Sequence, residues 1–202
     1  MMMRKLFLFA AAAMMAAPLL ATPVRADEEV VRFWDPATSS FQEIKRHPMA
    51  NRNMESPIKK ETIDYAGPYD KGTIVVNTTE RRLYYVLGDG KAMKYGIGVG
   101  RPGFTWNGTH AITRKTEWPG WTPPPAMRKR QPKLPDYMPG GPDNPLGARA
   151  MYIGSTIYRI HGTAEPWTIG QAVSSGCIRM TNDDVADLYE RVGVGTRVVV
   201  LH

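Results

Sequence analysis

Cys177 is the only cysteine among 202 residues; it follows Ser174-Ser175-Gly176 and stands sixteen residues after His161. A thiol attacks as its thiolate, and a free cysteine of pKa near 8.5 is only a few per cent ionised at neutral pH. An imidazole changes charge close to neutrality, so it can take that proton and later return it to a leaving amine. His161 is the candidate: it ends the strand-like run Thr156-Ile157-Tyr158-Arg159-Ile160 and precedes Gly162. A residue at a strand end is held by the sheet while its side chain enters the site made by the following loop. His110 lies within another strand-like run, and His47 and His202 lie in an N-terminal extension and at the C-terminus. Spacing alone leaves a second reading open, since a lone cysteine is also a common small core residue.

The flanking residues add chemistry. Small residues before Cys177 form a tight turn that can expose consecutive amides, so the backbone N–H groups of Gly176 and Cys177 are candidate oxyanion donors. Loss of one such donor typically costs about 2.7–4 kcal/mol of barrier. Arg179 is placed to bind a substrate carboxylate with its planar fork or to favour the thiolate; a salt bridge to Asp183 or Asp184 is the alternative. Ser174, Ser175 and Trp167 are further candidates for substrate contact. No metal site and no cofactor are expected, and Gly96, Gly98 and Gly100 lie in a strand context rather than before a helix, which argues against a phosphate loop.

The elements that must position these groups are mostly strands. Ile74-Val75-Val76 and the run Leu83-Tyr84-Tyr85-Val86 are β-branched and aromatic, and Gly88-Asp89-Gly90 signals a hairpin into a returning strand. Further strands are expected near residues 108–115, 148–153, 156–160 and 196–201. One helix is clear, near residues 182–192, with Thr181 as its cap, Val185, Leu188 and Val192 on one face, and Gly193 as its stop. Nine of the seventeen prolines fall in residues 118–145, a stretch no sheet interior tolerates. A loop of that length within a domain points to a substrate-covering flap or to structural elaboration.

Residues 1–26 read as a signal peptide: Arg4 and Lys5 precede an apolar run over residues 6–20, and Val24-Arg25-Ala26 offers a cleavage point. That run is shorter than the roughly 20 residues a membrane span needs. Residues 27–71 read as a poorly ordered extension, and residues 72–202 as the folded domain. The net charge is +7; three cations and no acid lie in the first 26 residues, which leaves +4 for the remainder. That mild excess suits an anionic polymer, and no basic helix or aromatic platform points to nucleic acid.

The stretch "HGTAEPWTIGQAVSSGCIRMTNDD" resembles the signature of the YkuD-type L,D-transpeptidases: His-Gly, a variable segment, then Ser-x-Gly-Cys-x-Arg. "IVVNTTERRLYYVLGDG" and "GVGRPGFTWNGTHAIT" are similar to that family's opening strands and glycine-rich middle. The resemblance implies a mainly β, sandwich-like domain with a short helix after the cysteine motif and a long Pro-rich loop. It implies a cysteine acylated by a peptidoglycan stem tetrapeptide with loss of D-alanine, and transfer to an amine acceptor on a neighbouring stem. An outer-membrane protein or lipoprotein is the alternative acceptor. By the same resemblance His161 is base and then acid, oriented by the Gly162 carbonyl; the signal segment, with no anchor or wall-binding repeats read beside it, points to the periplasm. Many members carry a second histidine where this chain has Ser175. Hydrolysis of the same acyl-enzyme and a non-catalytic wall-binding module are the competing readings.

Overall fold

The computed structural model describes residues 30–35, 40–45, 56–130 and 132–202. The expected signal segment lies outside the described residues. In chain order the strands are β1 (Val30–Asp35), β2 (Ser40–Lys45), β3 (Glu61–Asp64), β4 (Ile74–Asn77), β5 (Arg82–Gly88), β6 (Lys91–Gly96), β7 (Val99–Gly100), β8 (Gly108–Glu117), β9 (Arg149–Ile153), β10 (Arg159–His161), β11 (Ala172–Ser174), β12 (Ile178–Arg179) and β13 (Arg197–Leu201). Helix α1 (Pro125–Arg130) lies between β8 and β9, and α2 (Asn182–Arg191) follows β12.

Nine strands join in one sheet, in the order β12-β10-β9-β8-β13-β4-β5-β6-β3. Its middle is set by two runs of β-branched residues: Ile74, Val75 and Val76 of β4 pair in parallel with Val198, Val199 and Val200 of β13, and all six are buried. Continuous burial along a strand means that both faces are covered.

The sheet turns at β8. Residues 108–111 pair with β13, residues 112–117 pair with β9, and the register shifts between Ile112 and Arg114. A bulge of this kind bends a strand. The β9-β10-β12 wing and the β4-β5-β6 wing therefore share one core, in which Ile74, Leu83 and Tyr95 meet Met151, Ile160 and Ile178. The two ends come together where Gly98 and Arg179 exchange backbone hydrogen bonds of 2.9 Å.

Helix α2 follows its sequence signals. Thr181 Oγ1 accepts from the Asp184 amide at 3.2 Å, Val185 and Leu188 are buried, and the helix packs on β9. In the N-terminal region β1 and β2 pair as an antiparallel hairpin, and β3 closes the sheet edge against β6. Charge masks β3 in the sequence. Glu61 and Asp64 flank its two central residues and pair with Lys94 and Lys91 across the ladder, and charged side chains on an edge strand discourage further pairing.

The Pro-rich segment is an ordered wall. Trp121 and Met138 exchange backbone hydrogen bonds of 2.8 Å. The buried Asn144 donates from Nδ2 to the carbonyls of Met138 at 3.2 Å and Pro139 at 2.9 Å, and its Oδ1 accepts from the Leu146 amide at 2.9 Å. Asn144→Ala strips these partners and is expected to lower stability by about 1–3 kcal/mol. Urea unfolding measures that loss, and faster limited proteolysis within residues 118–145 locates it.

Candidate active site

The pairing of β10 with β12 assembles the site. Ile160 pairs with Ile178 and His161 with Arg179 in parallel register. Successive strand residues point to opposite faces. Ile160 and Ile178 are buried in the core, so Arg159, His161 and Arg179 occupy the other face, and Cys177 directly precedes β12. All four line one cavity of about 310 Å³. Its opposite wall comes from the Pro-rich segment, through Trp121, Pro124, Met127, Pro145 and Leu146.

His161 is 4% exposed, and its Nδ1 lies 2.5 Å from the Gly162 carbonyl oxygen. A carbonyl only accepts, so Nδ1 carries the proton and Nε2 keeps a free lone pair. Gly162 has little room to be anything else, since a Cβ there would lie 2.3 Å from Asn182 Oδ1. Burial, followed by the positive charges of Arg179 and Arg159, pushes the imidazole down to about 3, although the Gly162 hydrogen bond acts in the opposite direction. His161 is therefore neutral at working pH, with Nε2 unprotonated.

The depressed value has a signed consequence for stability. Between the ordinary histidine value near 6.5 and about 3, the unfolded chain binds a proton at His161 that the folded chain does not. The folded state thus loses up to about 1.4 kcal/mol per pH unit as pH falls through that window. His161→Gln is expected to flatten the decline in urea midpoint between pH 6 and pH 4, relative to wild type.

The turn before Cys177 is built from residues far away in sequence. Ser174 Oγ donates to the Cys177 carbonyl at 2.6 Å and accepts from the Gly176 amide at 3.1 Å. The Gly176 carbonyl accepts from Trp106 Nε1 at 2.8 Å, and the Trp106 ring stacks on Tyr158 with centroids 4.5 Å apart and planes 5° from parallel. Gly176 itself has φ of 107°, and a Cβ would lie 2.4 Å from Tyr158 Cε1. Gly176→Ala is expected to displace the turn and slow acylation of Cys177 by about 10²-fold, the usual consequence of an ångström-scale misplacement. Stopped-flow acylation checks this, with circular dichroism to show that the fold persists.

These observations can be set beside known proteins. Residues 71–200 match the family model of the YkuD L,D-transpeptidase catalytic domain. The chain belongs to this family. It is 46% identical over 135 residues to the probable L,D-transpeptidase ErfK/SrfK of Escherichia coli strain K12, a match covering 63% of this chain and 43% of that protein. The chain thus spans under half the length of that curated relative. A crystal structure described as a probable carnitine operon oxidoreductase from Brucella melitensis is 45% identical, covers 73% of this chain and 96% of its own, and superposes with a TM-score of 0.50. An L,D-transpeptidase from Mycobacterium tuberculosis H37Rv shares the fold at a TM-score of 0.50 and 17% identity, over 64% of this chain and 57% of its own.

Within this L,D-transpeptidase domain, the Gly176 amide donates to Ser174 Oγ. Ser174 is buried inside the turn, whereas the exposed Ser175 lines the cavity. Trp167 sits in a short 3-10 turn, Pro166–Thr168, and is not among the cavity-lining residues. Arg179 pairs with Glu165 at 3.1 Å rather than with Asp183 or Asp184. The acids after Thr181 belong to α2, which runs away from the strand, while Glu165 follows His161 and returns to the same face. Trp106 and Tyr158 were not singled out by sequence; the tryptophan in the glycine-rich middle is the signal that marks them.

Proposed function

We propose that this chain is an exported cysteine L,D-transpeptidase that acts on peptidoglycan stem peptides in the periplasm. The observation that carries the reading is that Cys177 lines the same cavity as a buried, neutral imidazole whose Nδ1–H is tied to the Gly162 carbonyl. In this mechanism the Cys177 thiol passes its proton to His161 Nε2 as sulfur attacks the scissile carbonyl carbon of a tetrapeptide donor. The Cys177 amide donates to the resulting oxyanion. Collapse breaks the carbon–nitrogen bond, His161 protonates the leaving nitrogen, and D-alanine departs. An acceptor amine then attacks the thioester, gives its proton to His161, and releases the thiol. The acceptor is the side-chain amine of a neighbouring stem or an amine of an outer-membrane protein or lipoprotein.

Incubating the purified protein with a disaccharide tetrapeptide and weighing the products tests the reading. Dimers lacking one D-alanine are expected. Tripeptide alone identifies a hydrolase, and unchanged donor contradicts both.

A further inference from the structure

The cavity is lined by two arginines and by no aspartate or glutamate. Arg179 already has a carboxylate partner in Glu165. Among the described residues Arg159 makes no salt bridge and its buried Nε has no hydrogen-bond partner; its guanidinium lies 5.4 Å from the Tyr152 ring centroid. It is thus the cavity's unneutralised cation, on the His161 face of β10 and two residues before it.

We propose that Arg159 binds the α-carboxylate of the departing residue and so selects donors that end one residue beyond the scissile bond. The inference rests on the transpeptidase reading. His161 must protonate the leaving nitrogen, which places that nitrogen within about 3 Å of Nε2. The carboxylate carbon of the same residue is two bonds further, about 2.5 Å away. Neighbouring side chains on one strand face originate about 6.6 Å apart, so an arginine two positions from His161 reaches a carboxylate lying beside the imidazole. Its planar fork takes both oxygens in charge-assisted hydrogen bonds. An amidated terminus offers only one oxygen and no charge, and a longer donor places its next peptide bond where the carboxylate belongs.

The test compares a disaccharide tetrapeptide with the same compound carrying a C-terminal amide, with kcat/KM for acylation of Cys177 as the readout. Wild type is expected to prefer the free carboxylate by roughly 10- to 100-fold, the range of a charged hydrogen bond. Arg159→Gln should lose most of that preference, read as the ratio of kcat/KM for the two donors within the variant, in which any change in His161 basicity cancels. Arg159→Lys, which keeps the charge but not the fork, should retain part of it. A wild type indifferent to the amide overturns the proposal whether or not either variant folds, as does a glutamine variant with the full preference. If wild type is acylated by neither donor, the transpeptidase reading itself fails, and that outcome is distinct from equal reaction with both.

Discussion

Cys177→Ala is expected to abolish acyl-enzyme formation and cross-linking, lowering turnover by about 10⁴-fold or more, as removal of a covalent nucleophile does elsewhere. Each proposed step passes through a bond to its sulfur, and no second cysteine exists to take over. Loss of fold does not explain such a result. Cys177 is only half-buried, and the hydrogen bonds that shape its turn run through its backbone carbonyl and Ser174 Oγ, which alanine leaves in place. Cys177→Ser is expected to fail as well, because a hydroxyl is a far weaker nucleophile than a thiol. Intact mass after exposure to the tetrapeptide donor reads both variants, and a cross-linking alanine variant would remove Cys177 from the mechanism.

His161→Ala carries the second largest effect, a fall of about 10²–10⁴-fold in acylation rate. No other histidine lines the cavity. His110 belongs to β8 and packs edge-on against Trp106, with centroids 5.7 Å apart. The depressed value of about 3 sharpens the expectation. Wild-type acylation should not lose rate through protonation of His161 in the free enzyme between pH 8 and pH 5, whereas an ordinary histidine base would titrate near 6.5. A His161→Ala protein that acylates at the wild-type rate would exclude it as the base.

The strands and the helix that hold the site were legible because burial imposes period. The β-branched runs of β4 and β13 and the capped stripe of α2 each satisfy a local rule that their positions in the fold then repeat. His161 and Cys177 were legible by chemistry and by the order of small residues around them. What escaped were relations between distant segments. Trp106 holds a carbonyl seventy residues away, and Arg179 chooses Glu165 over acids that are nearer in sequence because α2 carries those acids away. The hydrogen bond from the Gly176 amide to Ser174 Oγ could not be read either, since it depends on one side-chain rotamer of Ser174. Strand β3 was hidden for a different reason: an edge strand that protects itself with charge has no apolar pattern to find.

Peptide mapping of the trapped intermediate examines the covalent step on Cys177. The protein is mixed with a disaccharide tetrapeptide, quenched in acid within seconds and digested. An adduct equal to the donor minus D-alanine is expected on the peptide that contains Cys177, and none in His161→Ala quenched at the same time. An adduct on another residue, or release of D-alanine with Cys177 still open to alkylation throughout turnover, would contradict it.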